Sequence, residues 1–158
     1  MLVAGCGGGS GAGLATARTD HVRVGYPKDW QRQSGAQRFT VRKTEGGRTV
    51  AQLMVLERVT KATTADLAVE TMQAGRWNLQ DFRRGRVQGA QVKGARDARR
   101  LDYTYTSAEG GASQPAAGTD LVALLERDVY VVRITWLRSE LPERDLKAML
   151  ASVELKED

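Results

Sequence analysis

The stretch Asp120-Leu121-Val122-Ala123-Leu124-Leu125-Glu126-Arg127-Asp128-Val129-Tyr130-Val131-Val132-Arg133-Ile134-Thr135-Trp136-Leu137 decides how this chain folds. In its second half Tyr130, Val132, Ile134 and Trp136 fall on one side of an extended chain, and Val129 and Val131 on the other. Side chains of a strand change face at every residue, so this period of two predicts a β-hairpin of residues 120–126 with residues 129–137.

Upstream of the hairpin, residues 107–118 (Ser-Ala-Glu-Gly-Gly-Ala-Ser-Gln-Pro-Ala-Ala-Gly) are small and conformationally free, which predicts a mobile loop. Residues 87–92 and 95–106 read as two further strands around Lys93-Gly94, with Leu101, Tyr103 and Tyr105 sharing one side of the second. Before them, Thr63 or Thr64 suits an N-cap and Asp66 a first helical turn. Ala68, Met72, Gly75, Leu79 and Phe82 follow at 4-3-4-3 spacing, predicting a helix with one face on a core.

Still further upstream, Phe39 and Val41 belong to one strand and residues 50–59 to the next, joined through Glu45-Gly46-Gly47-Arg48. Val50-Ala51-Gln52-Leu53-Met54-Val55-Leu56 is apolar on both faces and predicts a strand covered on both. Residues 22–25 form a short strand, and Tyr26-Pro27-Lys28-Asp29-Trp30 a turn at the entry to the fold. Downstream, Pro142 opens a closing helix with Leu146, Met149, Leu150 and Val153 as its apolar positions. No internal repeat interrupts this order.

The organisation is therefore a tail over residues 1–20 and one domain over residues 21–158, a length sufficient for a core of its own. Within the tail, Leu2-Val3-Ala4-Gly5-Cys6 resembles a bacterial lipobox, in which small residues enter the peptidase and the cysteine thiol accepts a diacylglyceryl group. Cys6 is the expected lipid-attachment residue. Such signals carry a charged segment and an apolar segment of about 7–15 residues before the cleavage site. Only five residues precede Cys6, so the remainder is expected either to be encoded upstream of Met1 or to have been cut away. The glycines at 5, 7, 8, 9, 11 and 13 read as a flexible tether between lipid and domain. Cys6 is the single cysteine, and a lipidated thiol requires no disulfide partner.

Charge is unevenly spread. Residues 1–100 hold 18 Lys/Arg against 8 Asp/Glu, and residues 101–158 hold 6 against 11, within a net charge of +5. No helix-turn-helix, zinc-finger or aromatic RNP pattern accompanies the basic half, and an exported domain does not meet the genome, so nucleic acid is not an expected partner.

Catalytic and metal chemistry find little support in the residue inventory. His21 is the only histidine and sits at the junction of tether and domain, beside no nucleophile motif. With one histidine and one acylated cysteine, no soft tetrahedral metal set can be assembled, and no cofactor is expected. Glu126 with Asp128, or Glu143 with Asp145, would be the carboxylate pairs for a minor hydrolase, yet solvated turn and helix-start charges are the simpler reading. No glycine run ends in the Gly-Lys-Ser/Thr of a phosphate loop.

Arg83, Arg84, Arg86, Lys93, Arg96, Arg99 and Arg100, opposed locally only by Asp97, form the one constellation that suggests a ligand. Guanidinium forks grip phosphate and carboxylate at two points, which would suit anionic lipid or a wall polymer. Against this, alternation along a strand sends neighbouring arginines to opposite faces, and arginines also complement helix C-termini. Trp30, Trp77, Trp136, Tyr26, Tyr103, Tyr105 and Tyr130 read as core and core-edge aromatics. Their functional alternative is a groove between helix and sheet that carries a lipid or another small apolar ligand.

The order of elements is similar to one known group. Tyr26-Pro27-Lys28-Asp29-Trp30, the run Val92-Lys93-Gly94-Ala95-Arg96-Asp97-Ala98-Arg99-Arg100-Leu101-Asp102-Tyr103, the strand 129–136 and Met149-Leu150-Ala151-Ser152-Val153 resemble the PsbP/Mog-like fold over about residues 22–156. Within that fold they resemble the LpqN/DcrB-like actinobacterial lipoproteins. The resemblance implies an α+β class, an α/β/α sandwich whose central sheet is mostly antiparallel, and a non-enzymatic binding or accessory role. Combined with the lipobox, it implies an extracytoplasmic domain held to the membrane through Cys6, with an envelope protein, anionic lipid or wall polymer as partner.

Overall fold

A computed structural model describes residues 13–33, 38–74, 76, 78–108 and 112–157. The chain runs β1 (Leu14–Arg18), β2 (Val22–Pro27), β3 (Gln31–Arg32), β4 (Phe39–Glu45), β5 (Arg48–Leu56), α1 (Ala65–Ala74), β6 (Arg83–Gly89), β7 (Asp97–Ser107), β8 (Gln114–Leu125), β9 (Asp128–Leu137), α2 (Glu143–Ala151) and β10 (Glu154–Leu155). Seven strands form the main sheet in the order β3-β4-β5-β9-β8-β7-β6, and three form a small sheet, β1-β2-β10. Every pairing between these strands is antiparallel. The class is α+β.

The hairpin lies at the middle of the main sheet, and its alternation assigns the two cores. Leu121, Ala123, Leu125, Tyr130, Val132 and Ile134 pack with Val22 and Val24 of the small sheet and with Leu146 and Met149 of α2. Val122, Leu124, Val129 and Val131 face the other way, against Ala65, Ala68 and Val69 of α1. Burial of apolar area on both faces accounts for the apolar run of β5, which sits between β4 and β9. One layer is thus α1, the next the main sheet, and the third α2 together with the small sheet.

Four local expectations differ from the structure. Residues 114–118 do not belong to a loop: β8 starts at Gln114 and pairs with β7 as far as Ser107. The small residues there are spacers for large partners. Ala116 lies opposite Tyr105, and Ala117 lies opposite Trp136. Gly118 lies opposite Tyr103, where a Cβ would come within 2.4 Å of the ring.

The first helix ends at Ala74, before Leu79 and Phe82, and beyond it the backbone proceeds by three-residue turns from Gln73 to Arg76, Arg76 to Leu79 and Leu79 to Phe82. Phe82 still reaches the α1-side core, with its ring 5.5 Å from that of Tyr103, so the apolar spacing continues after the helix stops. Gly75, a poor helix former, follows the last helical residue in the sequence.

Strand β6 begins at Arg83, four residues earlier than the apolar pattern indicates, so Arg83 and Arg84 are strand residues and not a helix C-terminus. Leu14–Arg18, read as tether, pair with residues 23–27 as β1. The folded part therefore begins ahead of His21.

At the Lys93-Gly94 connection, Gly94 has φ of 85°, and a Cβ there would lie 2.0 Å from the Leu155 carbonyl oxygen. Only glycine permits that approach. The Leu155 N–H donates to Lys93 O at 2.8 Å, which seats β10 beside β2 and against this loop.

Candidate functional site

The seven basic residues between positions 83 and 100 do not form one patch, although Arg83, Arg84 and Arg100 line one groove. Arg84 reaches α1 and makes two hydrogen bonds to the Glu70 carboxylate, at 2.8 and 3.2 Å. Arg99 lies on the same side, donating from Nε to Asp66 and from Nη1 to Asp97, each at 3.0 Å. Arg96 caps carbonyl oxygens of Glu126 and Thr63. Arg100 turns to the opposite face and donates to Asp102 at 2.9 Å, while Lys93 lies 3.7 Å from Glu154 of β10. Arg83 and Arg86 make no ion pair among the described residues. Neighbours such as Arg99 and Arg100 separate because a strand alternates.

Asp97 also serves the backbone. Its Oδ2 accepts the Ala65 N–H at 2.8 Å at the start of α1, and this hydrogen bond, with Arg99 nearby, holds its carboxyl below the usual value of 3.8 against the opposing effect of burial. The helix start thus takes its acidic cap from a strand far along the chain.

Of the two carboxylate pairs weighed for hydrolysis, each described member has a cationic neighbour or an open position. Asp128 lies 3.3 Å from Lys61 and 3.7 Å from Arg58, and Glu143 lies 3.7 Å from Lys147 at the helix start. Glu126 is exposed at the hairpin turn. Among the described residues no group of three or more His, Cys, Asp and Glu is placed to hold a metal. Cys6 and Trp77 lie outside the described residues. Trp30, Tyr103 and Tyr130 are buried in the core, whereas Trp136 is only partly buried.

Trp136 lines a groove on the α2 face of the main sheet. One part, about 270 Å³, lies among Arg83, Arg100, Gly118, Trp136 and Leu146. An adjoining part, about 440 Å³, shares Arg83, Thr104, Ala117 and Trp136 with it.

The deepest concentration of charge is elsewhere. Asp120 and Arg133 are cross-strand partners on β8 and β9, each placed on the α1 face by the alternation that defines the hairpin. Arg133 donates to Asp120 twice, from Nε at 2.9 Å and from Nη2 at 3.0 Å. Tyr103 donates its hydroxyl to the same carboxylate at 3.0 Å, and Arg76 donates to the Tyr103 oxygen at 3.0 Å while lying over its ring. Asp120 is 1 % exposed, so its charge is held by these donors and not by water. Burial and the Asp120 charge raise the Tyr103 hydroxyl well above its usual value, which keeps it a donor. For Arg133, burial acts to lower the pKa, and the hydrogen bonds and charge of Asp120 outweigh it, leaving the guanidinium more firmly protonated than usual.

Arg133 also forms part of the wall of a cavity of about 1120 Å³, where the small sheet, β3, the start of β4 and the end of β5 meet. Arg18, Arg32, Arg38 and Arg58 line it with His21, Glu57 and Asp20, and Phe39, Val55, Leu56 and Met72 provide its apolar wall. His21 Nδ1 lies 2.6 Å from Glu57 Oε1, and Arg58 Nη2 lies 3.2 Å from His21 Nε2. A guanidinium only donates, so in this arrangement Nε2 accepts from Arg58 and the Nδ1 proton goes to Glu57, the neutral tautomer. Burial acts to raise the Glu57 carboxyl, but hydrogen bonds from Thr19 and His21 outweigh it and hold the group below its usual 4.5. His21 is 6 % exposed, and this network fixes the junction of the two sheets.

No continuous motif marks this cavity. Its arginines come from β1, β3, the approach to β4, the second residue after β5 and the middle of β9. The one sequence signal is Arg133 itself, a lone charge in an apolar strand, directly across from Asp120 once the hairpin register is drawn.

No family model and no curated protein matches the chain by sequence. Solved structures do match its fold. LpqN of Mycobacterium tuberculosis, described as involved in cell envelope biogenesis, superposes with a TM-score of 0.54 at 16 % identity, over 91 % of each chain. PA94, a protein of unknown function from Pseudomonas aeruginosa, gives 0.53 at 15 % identity over 85 % of this chain and 90 % of its own. A protein from Bacteroides thetaiotaomicron gives 0.53 at 9 % identity, with 87 % of this chain spanning 46 % of that one. The chain shares their fold. At these identities the likeness is one of fold alone, and the fold part of the resemblance to LpqN rests on it.

Proposed function

We propose that this chain is a lipid-anchored, extracytoplasmic accessory domain of the cell envelope, which binds another envelope component and catalyses no reaction. The observation that carries the reading is the common fold with LpqN over nine-tenths of both chains, LpqN being described as involved in cell envelope biogenesis. The lipobox-like Leu2-Val3-Ala4-Gly5-Cys6 and the glycine tether support the anchor. The engagement of His21 on both ring nitrogens supports a structural use of the one histidine. No described helix is long and apolar enough to cross a membrane, and the proposed anchor is the lipid itself.

Expression with the codons upstream of Met1 tests this directly. The protein is expected to partition into detergent and to carry a diacylglyceryl increment on Cys6, both abolished by Cys6→Ser. An unmodified N-terminus would overturn the anchor. A turnover abolished by changing one carboxylate, with folding unaffected, would overturn the non-catalytic role.

A second reading, carriage of a small apolar ligand, draws support from the continuous groove around Trp136. Uptake of a fluorescent acyl probe that Trp136→Ala removes would favour it over the accessory role.

A further inference from the structure

We infer that the cavity where the small sheet meets β3, the start of β4 and the end of β5 is a binding site for an organic phosphate: a phosphate ester with a small apolar substituent. The inference goes beyond the anchored accessory role and does not depend on lipidation of Cys6.

The charge balance of the cavity carries the argument. Five guanidiniums line it, from Arg18, Arg32, Arg38, Arg58 and Arg133; Arg58 lies 3.7 Å from Asp128 and Arg133 is paired with Asp120, so the charge left over is that of Arg18, Arg32 and Arg38 beside Asp20 and Glu57. Glu57 is already engaged by His21 at 2.6 Å. Arg18, Arg32 and Arg38 have no carboxylate within ion-pair distance among the described residues; Arg32 instead lies over the Phe39 ring at 4.8 Å. Most basic residues of the 83–100 segment, by contrast, have an oxygen partner. A concave wall carrying excess positive charge focuses potential on its interior and concentrates anions there.

Arg133 adds a fixed donor. Its side chain is 12 % exposed, and its Nε and Nη2 are committed to Asp120. Asp120 therefore acts as a brace, holding a largely buried guanidinium at the cavity wall. Planar guanidiniums match phosphate geometry, and several of them around one space can meet different oxygens of one group.

The remaining wall selects the substituent. Phe39, Val55, Leu56 and Met72 offer an apolar surface beside the arginines, so a ligand that buries a short hydrocarbon portion gains over bare phosphate. The same chemistry occurs in a soluble phosphomonoester and in the headgroup region of an acidic phospholipid.

Calorimetric titration of the full chain with inorganic phosphate, hexyl phosphate and dihexanoyl phosphatidate, with flotation on phosphatidate and phosphatidylcholine vesicles, tests the site. Hexyl phosphate or dihexanoyl phosphatidate is expected to bind at least about tenfold more tightly than inorganic phosphate, from burial of its chain. Preference for hexyl phosphate identifies a soluble ester as the ligand class. Preference for phosphatidate, with retention on phosphatidate vesicles but not on phosphatidylcholine, identifies a lipid headgroup.

Arg18→Gln with Arg38→Gln, both at exposed positions, is expected to weaken binding at least about tenfold, the loss attending charge-assisted hydrogen bonds. Arg84→Gln with Arg99→Gln, on the 83–100 segment, should leave affinity unchanged. Absence of binding by all three soluble probes, or equal loss in both double variants, would overturn the assignment.

Discussion

Two arginine-rich regions of this molecule use the same side chain in opposite ways. Along residues 83–100 the arginines are close in sequence and divided between the two faces of the sheet, and most end on a carboxylate or a carbonyl. Around the cavity they are distant in sequence and close in space, and three of the five end on no carboxylate among the described residues. Proximity in sequence is thus a poor guide to electrostatic potential when the backbone is extended, because each step along a strand reverses the side chain. What the fold concentrates, and what it leaves uncompensated, is set by which strands it brings to one edge.

The sharpest break in that comparison is at Asp120, which compensates one cavity arginine from behind. Asp120→Ala leaves the Arg133 guanidinium buried without its partner and removes the acceptor of Tyr103, and is expected to cost about 3–5 kcal/mol in urea denaturation. Replacing both partners by Asp120→Leu with Arg133→Met should recover most of that loss, since the penalty belongs to the orphaned charge. A double variant as unstable as Asp120→Ala would show that the pair contributes more than mutual compensation.

A smaller effect is expected at Asp97, which caps α1 and receives Arg99. Asp97→Ala should lower stability by about 0.5–2 kcal/mol, the usual range for loss of a helix cap, and should raise amide exchange in the first turn of α1. Acid titration probes the same group together with Glu57. Both carboxyls lie below their usual values in the folded chain, so their contribution is complete above the unfolded values and is lost as pH falls through the folded ones. The denaturation midpoint should therefore fall between about pH 5 and pH 3, and Glu57→Gln with Asp97→Asn should flatten that decline.

The smallest effects carry the comparison in their sign. Arg84→Gln removes an exposed pair with Glu70 and should destabilise by no more than about 1 kcal/mol. Arg38→Gln, at a cavity arginine with no carboxylate partner, should be neutral or slightly stabilising, within about 0.5 kcal/mol, and most visibly at low salt. A destabilising Arg38→Gln would mean that the charge has an internal partner, and the two regions would then not differ.

How much of this was legible in the sequence varies with the physics of each element. Residues 120–137 could be read because both sides of the hairpin are apolar enough to show their period, and that period assigns Val132 and Val131 to different cores. Residues 114–118 could not, because Ala116, Ala117 and Gly118 are small to accommodate Tyr105, Trp136 and Tyr103, and composition alone makes a spacer look like a loop. Leu14–Arg18 follows a glycine tether, and its strand becomes visible only through its pairing with β2. The apolar stripe of α1 runs past the helix end because Phe82 still has a core to enter from a turn. The cavity was beyond reach for a topological reason: its arginines are collected from five places along the chain by register, and register is a property of pairs.

The two residues of β10 also set the order of events during folding. Strands β6 to β9 pair with near neighbours in sequence, whereas β5 reaches β9 across α1, β6, β7 and β8. Small-sheet closure joins Val22 and Arg23 to Leu155 and Glu154, which requires a loop longer than a hundred residues to be drawn shut. Because β10 seats on the Gly94 loop as well, this last step locks the beginning, middle and end of the described chain together. Until β10 is in place, β2 has β1 as its one strand partner among the described residues, and the edge of the small sheet beside the Gly94 loop stays open.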